Sequence, residues 1–275
     1  MNAYSPGHAA RHYRAVFVSD VHLGTRDCRA DFLADFLRRT TCDQLYLVGD
    51  IIDGWHLRRS WHWDEAHNEV ARLIFRAARN GTEVTYIPGN HDEMLRRWVG
   101  FGIEVGGVRL AGEAVHVTAD GRRLLVIHGD AFDSVSNYAR PLAIVGDYAY
   151  AAALALNRWF NVARNRLGLS YWSISAWAKH QVKRVVKTID RFEEATCAEA
   201  ARRGFDGVVC GHIHHAEMRE IDGLLYINDG DWVESCTALV EHADGRLELV
   251  EWAALNSFSF LARPRRRRAE VPEAV

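Results

Sequence analysis

Five short segments carry side chains able to hold metal ions, and they follow one another along the chain. They are Asp20-Val21-His22, Gly49-Asp50-Ile51-Ile52-Asp53, Gly89-Asn90-His91-Asp92, His128-Gly129-Asp130 and Gly211-His212-Ile213-His214. The candidate ligands are Asp20, His22, Asp50, Asn90, His128, His212 and His214. These are hard oxygens and borderline imidazoles, with no thiolate. Such a set suits Mn, Fe, Mg or Zn in an open site and argues against a structural cysteine–zinc module. It exceeds the needs of one catalytic ion and suffices for two if one carboxylate bridges. Two ions about 4 Å apart can stabilise both the attacking and the leaving oxygen of a phosphoryl transfer. The pattern therefore predicts a two-metal hydrolase.

Spacing adds detail. In Asp20-x-His22, residues i and i+2 at a strand end point the same way and reach one ion. His212-x-His214 follows the same rule, unless a strand-to-loop turn aims its two members at different ions. Glycines 49, 89, 129 and 211 allow sharp turns beside the ligands. His91 follows Asn90 directly and should project differently. It is the candidate to stabilise or protonate a leaving oxygen, with Asp92 as the group that orients its imidazole. His8, His12, His62, His67, His116, His180 and His242 read as ordinary surface or hydrogen-bonded histidines.

These side chains need a frame. Ala15–Val18, Leu45–Val48, Val84–Ile87, Leu124–Ile127 and Val208–Cys210 are short apolar runs directly before the five segments. Such runs read as buried strands. Ligands just past their carboxyl ends converge on the crevice where α/β sheets bind substrates. Helices are predicted over Ala30–Arg39 and from about Glu65 to Arg79, the second stopped by Asn80-Gly81. A hairpin is expected at Asp120-Gly121. Antiparallel strands are expected from about Leu224 to Trp252, with turns at Asp229-Gly230 and Asp244-Gly245. Residues 1–13 and 258–275 read as flexible ends.

The chain has 275 residues, 48% of them hydrophobic, enough for one α/β domain over about 14–252 with an insertion. The balance of 34 basic to 36 acidic residues argues against a nucleic-acid partner. Five cysteines without a Cys-x-x-Cys spacing favour free thiols in a reducing compartment. No apolar leader or spanning segment is evident, so a cytoplasmic protein is expected, with contact at an inner-membrane surface allowed. Oligomeric state is not encoded in any pattern found. Residues 134–200 read as a helical cap, basic and aromatic at its centre, with a helical face at Val182, Val185, Val186, Ile189 and Phe192. Lys183, Arg184 and Lys187 are its candidate substrate-gripping cations. The run Arg265–Arg268 near the end suits either solvent or anionic lipid head groups.

In order and content the five segments resemble the calcineurin-like metallophosphoesterase superfamily, over about residues 14–240. The resemblance implies a β-sandwich flanked by helices, with the cap inserted. It implies one divalent ion on Asp20, His22, Asp50 and His214. A second would take Asp50 as the bridge, with Asn90, His128 and His212, manganese being the expected metal. The cap, Trp55 five residues after Asp50, Tyr138 and Gly230-Asp231-Trp232 are similar to the UDP-2,3-diacylglucosamine pyrophosphatase branch. That branch implies a lipid-nucleotide substrate, split to UMP and lipid X in lipid A synthesis, with Trp55 and Tyr138 at the substrate. Its best-known members have Arg where this chain has His91, which here follows the general superfamily form. The alternative is a paralogue acting on another phosphodiester or nucleotide.

Overall fold

The computed structural model describes residues 11–132 and 174–254. Among these residues, twelve strands form two sheets. The first contains β1 (Arg11–Val18), β2 (Thr40–Val48), β3 (Glu83–Ile87), β4 (Glu104–Val105), β5 (Val108–Leu110), β11 (Thr237–Glu241) and β12 (Leu247–Glu251), in the order β12-β11-β1-β2-β3-β5-β4. The second contains β6 (Ala114–Val117), β7 (Arg123–Val126), β8 (Gly207–Cys210), β9 (Glu217–Ile221) and β10 (Leu224–Asn228), in the order β6-β7-β8-β10-β9. β1, β2, β3 and β5 run parallel in the first sheet, as do β7, β8 and β10 in the second. Helices α1 (Ala30–Arg39), α2 (Gly54–Arg59), α3 (Glu65–Arg79) and α4 (Ile174–Arg202), with 3-10 turns at Glu93–Trp98 and Asp130–Phe132, complete the described elements.

The two-residue period of the strands sorts their side chains into layers. Val16, Val18, Leu45 and Leu47 face one way and meet Phe32, Leu33 and Phe36 of α1 and Val70, Leu73 and Ile74 of α3. Ala15, Phe17, Tyr46 and Val48 face the other way and meet Leu124, Val126, Val209 and Ile227 of the second sheet. The far side of that sheet offers Leu125, Val208 and Tyr226 to Phe192, Cys197 and Ala200 of α4. The layers thus run helices, sheet, sheet, helix. Runs such as Ala15–Val18 are apolar throughout because both faces are covered. The end of the predicted cap, from Phe192 onward, lies in this last layer against the sheet.

Both predicted helices form as expected. Asp64 caps α3 by accepting from Ala66 N and His67 N, and the His67 ring accepts from Asp64 N in return. Three expectations change. β1 begins at Arg11 rather than after a loose arm to residue 13, because Arg11, His12 and Tyr13 pair in register with Thr40, Thr41 and Cys42. Asp229-Gly230 does not turn between paired strands. The chain crosses there from β10 in one sheet to β11 in the other, and the antiparallel partner of β10 is β9. The short, largely exposed strands β4 and β9 carry no continuous apolar run in the sequence.

One buried polar network ties the sheets together. Glu241, fully buried on β11, accepts from Arg14 Nη1 at 2.7 Å, His116 Nε2 at 2.7 Å and Ala119 N at 2.7 Å. The Tyr46 hydroxyl donates to His116 Nδ1 at 3.3 Å. Burial pushes the His116 imidazole below its ordinary value of 6.5, and the nearby Glu241 carboxylate only partly offsets this. Two expectations follow. Glu241→Ala strands an arginine, an imidazole and an amide, and should destabilise by about 3–5 kcal/mol in a denaturant titration. The unfolded chain protonates this histidine more readily than the folded one. His116 should therefore stabilise fully above about pH 6.5 and progressively less as pH falls through that range, and His116→Gln should flatten that part of the stability–pH curve.

Candidate active site

Each of the five segments begins within two residues of a strand's carboxyl end: β1, β2 and β3 in one sheet, β7 and β8 in the other. The site therefore spans the adjoining edges of both sheets. Hydrogen bonds stitch the segments together: Asp20 N donates to Gly49 O at 3.1 Å, His22 N to Asp50 O at 2.8 Å and Gly211 N to His128 O at 3.2 Å.

Two carboxylates are held the same way. Asp20 Oδ2 accepts from His212 N at 2.7 Å, and Asp50 Oδ1 accepts from His91 N at 2.7 Å. One oxygen of each is thus anchored by a backbone amide of a different segment, and the other faces imidazoles. Asp50 Oδ2 lies 3.5 Å from His128 Nε2, 3.9 Å from His22 Nε2 and 4.0 Å from His91 Nε2. Asp20 Oδ1 lies 2.8 Å from His214 Nε2 and 3.8 Å from His22 Nε2, and it is buried without an aligned hydrogen bond. Two donor clusters result, Asp20–His22–His214 and Asp50–His128–His212. Asn90 Oδ1 is 3.3 Å from His128 Nε2, beside the second.

The histidine pair of the last segment splits between the clusters. Both members sit in the left-handed region, His212 at φ 73° and His214 at φ 55°, so the simple strand alternation no longer applies. Asp20, His22 and Asp50 share that conformation at φ 50°, 54° and 54°. Left-handed backbone at a non-glycine residue costs of order 1–3 kcal/mol, and Asp and His tolerate it better than most.

The donor set fits divalent ions. His22 Nδ1 donates to Asp53 Oδ2 at 3.2 Å, and His128 Nδ1 donates to Val48 O at 2.9 Å. Each leaves Nε2 turned toward the carboxylates, the outer-sphere arrangement typical of metal-ligating histidine. Electrostatics agree. Burial opposes ionisation of Asp20, but the imidazoles, His214 foremost, outweigh it and hold that carboxyl well below the ordinary range. Burial likewise opposes ionisation of Asp50, and His128 outweighs it, bringing the carboxyl down to about 2. Burial alone would lower His128, yet Asp50 and Asp20 raise it to about 10. Clustered opposite charges of this kind, buried in a crevice, mark a site built for cations.

His91 stands at the mouth. Its Nδ1 donates to Asp53 Oδ2 at 2.9 Å, its ring meets His22 edge-on with centroids 4.5 Å apart, and Trp55 covers it at 4.3 Å. The carboxylate that orients this imidazole is Asp53, which corrects the expectation for Asp92. Asp92 is fully buried and points elsewhere, accepting from the Tyr86 hydroxyl at 2.5 Å, Gly89 N at 2.6 Å and Ile51 N at 3.0 Å. It pins the Asn90–His91 turn against the Asp50 turn. The second aspartate of Gly-Asp-Ile-Ile-Asp was the available signal for Asp53, since it lies three residues after Asp50 in the same segment. Arg96, which donates to Asp130 Oδ1 at 2.6 Å on the flank of His128, had no such signal. Trp55 is 37% exposed and donates to Glu93. Lys183, Arg184 and Lys187 lie on α4, with their side chains outside the described set, and Tyr138 lies outside the described residues.

The glycines also differ from expectation. Gly49 and Gly129 do turn through positive φ, at 83° and 107°. Gly89 and Gly211 do not, and what they supply is room. A Cβ on Gly89 would fall 2.3 Å from Asp50 Oδ1 and 2.7 Å from His128 Nε2, and one on Gly211 would fall 2.5 Å from Asp20 Oδ2.

Substitutions should separate these roles. Asp50→Asn should lose metal from both clusters, because Asp50 Oδ2, 3.5 Å from His128 Nε2 of one and 3.9 Å from His22 Nε2 of the other, loses its charge, whereas His91→Ala should keep its metal and turn over more slowly. Metal content by elemental analysis beside kcat decides this, and metal loss in His91→Ala would move that residue into the donor set. Gly89→Ala should lower metal content without a comparable fall in Tm, since it displaces donors and not core.

The sequence model of the family described as calcineurin-like phosphoesterase matches residues 13–216. The chain is 24% identical over 256 residues to UDP-2,3-diacylglucosamine hydrolase of Xanthomonas campestris pv. campestris, covering 84% of this chain and 96% of that protein. It is 26% identical over 225 residues to the Neisseria meningitidis serogroup B protein of the same name, covering 79% and 89%. Among solved structures, Yfce, a phosphoesterase from E. coli, matches with 14% identity and a TM-score of 0.40, over 86% of this chain and 98% of that one. Helices, two sheets and paired donor clusters agree with the family match: the chain belongs to the calcineurin-like phosphoesterase family and is a metal-dependent phosphoesterase.

Proposed function

We propose that this protein hydrolyses UDP-2,3-diacylglucosamine to UMP and 2,3-diacylglucosamine 1-phosphate (lipid X). The observation that carries the reading is the pair of adjacent donor clusters, with Asp50 Oδ2 3.5 Å from His128 Nε2 of one and 3.9 Å from His22 Nε2 of the other, and His91 held beside them by Asp53. Support for the lipid nucleotide comes from relatives named for that substrate that align along nearly their whole length. Divalent ions on Asp20, His22, Asp50, Asn90, His128, His212 and His214 would supply Lewis acidity toward a phosphoryl group. Manganese suits these donors.

The chain's own residues do the rest. Asp53 fixes the tautomer of both His22 and His91 by accepting at each Nδ1. Its carboxyl is held below the ordinary range because hydrogen bonds from His22, His91 and His56 N outweigh burial, so it stays an acceptor. With its Nδ1–H held by Asp53, His91 carries a proton on Nε2 only as the imidazolium, and in that form Nε2 is placed to donate to the oxygen that leaves the α-phosphorus. Trp55 offers an apolar face against this imidazole, suited to a base or sugar. Lys183, Arg184 and Lys187 would grip the phosphates, and Tyr138 would bind the substrate. Among the described residues no helix is long and apolar enough to cross a membrane. The substrate would be met at the inner-membrane surface from the cytoplasm.

UMP release from detergent-dispersed UDP-2,3-diacylglucosamine with Mn, beside an Asp50→Asn control, tests the reading. Wild-type release with none from the control supports it. Hydrolysis of a generic phosphodiester without UMP release would favour the paralogue with another phosphodiester or nucleotide substrate. Replacing Lys183, Arg184 and Lys187 together should raise KM for the lipid nucleotide and spare small aryl phosphodiesters. Equal loss on both would remove these residues from substrate binding.

A further inference from the structure

A 3-10 turn, Glu93–Trp98, begins directly after His91-Asp92 and carries the chain out of the site to a surface loop. At about 2 Å per residue, the turn itself rises roughly 10 Å from Glu93 to Trp98. The loop that follows is Val99-Gly100-Phe101-Gly102. Phe101 is 73% exposed and Trp98 48%, with ring centroids 6.5 Å apart. Both glycines turn through positive φ, at 86° and 65°, and a Cβ on either would meet nothing within 4 Å. Phe101 thus stands on a protruding tip. Beside it, at the outer edge of the first sheet, Val105 is 61% exposed, and Phe75 of α3 is 40% exposed against Gly106. The other exposed aromatic pair among the described residues, Trp61 beside Trp63 at 6.4 Å, has its second member packed partly into the core and bonded to Asn68.

Charge surrounds the apolar tip. The Arg97 guanidinium lies 5.4 Å from the Trp98 ring centroid, and Arg79 lines the hollow beside Phe75. Neither has an ion-pair partner among the described residues, while Glu104 is the acid on this edge. A convex tip buries too little area for a stable protein interface, which takes about 800 Å² from each partner. A bilayer interface can envelop it. Trp and Phe are favoured at the head-group level, and arginines beside them are drawn to anionic lipid.

We propose that the Trp98–Phe101 tip, with Val105, Phe75 and the flanking Arg97 and Arg79, docks on an anionic bilayer and holds the mouth of the site at the lipid surface. The proposal takes its purpose from the lipid substrate proposed above, but the surface stands on exposure and charge alone. Its test therefore uses vesicles that contain no substrate.

Flotation of the full chain with phosphatidylethanolamine–phosphatidylglycerol vesicles, beside phosphatidylcholine vesicles, measures the partition. Wild type should float with the anionic vesicles, and Trp98→Ser/Phe101→Ser should partition about tenfold less or weaker still. Arg97→Glu should lower binding to anionic vesicles and leave the neutral ones unchanged. All three side chains are exposed, so thermal melts and hydrolysis of an aqueous aryl phosphodiester should match wild type. Wild type that fails to float overturns the proposal. So does a double variant that floats as well as wild type, which would move binding elsewhere, such as to Arg265–Arg268. A wild-type dimer that the double variant dissolves would assign the tip to a second copy instead. Failure of UMP release leaves each of these outcomes readable.

Discussion

The site depends on a shared device: one carboxylate oxygen is tied to a backbone amide from a distant segment, and the other is left for imidazoles. Asp20 uses His212 N and Asp50 uses His91 N. A carboxylate anchored in this way cannot rotate to satisfy its second oxygen elsewhere. Its charge stays directed into the crevice, and the buried Asp20 Oδ1 without an aligned hydrogen bond is the visible result. Buried charge of this density is unfavourable unless paired. The imidazoles pair it in part, and the residual demand is what a divalent cation would meet.

That device needs backbone held in unusual places. Asp20, His22, Asp50, His212 and His214 all adopt left-handed φ. Such strain persists only where the surroundings over-determine it. Here they do. The strands behind these residues are apolar on both faces, covered by helices on one side and by the opposite sheet on the other. Behind the turns, Asp92 gathers amides from two segments and the Tyr86 hydroxyl, and Asn228 Nδ2 holds Gly211 O at 2.6 Å. The rigid core and the strained rim are one design, since the stability of the first sustains the geometry of the second.

Asp53 shows how one side chain joins cation binding to catalysis. It accepts from His22 Nδ1 and His91 Nδ1 through the same oxygen. The two rings therefore share an orientation constraint, although one faces the donor clusters and the other the mouth. His91 is further confined by Trp55, and the 3-10 turn that starts beyond Asp92 links this mouth to the exposed aromatic tip. Chemistry, substrate face and surface loop follow one another within a short stretch of chain.

Much of this was legible from residue types and spacing. Apolar runs leading into the ligand segments marked the strands, and their carboxyl ends marked the crevice, because burial on both faces leaves a continuous apolar signature. The helices Ala30–Arg39 and Glu65–Arg79 were equally plain, since amphipathic period and caps are local properties. Tertiary structure alone decided two things and explained a third. It divided the strands between two sheets, which strand sequences cannot encode, because a run that is apolar throughout carries no preference for a partner. It supplied the physical reason for the split of His212 and His214 that the family resemblance implied, because left-handed backbone cancels the alternation that spacing assumes. And it gave the orientation of His91 to Asp53 rather than to its neighbour Asp92, because adjacency along the chain does not determine which carboxylate a ring nitrogen meets across a turn.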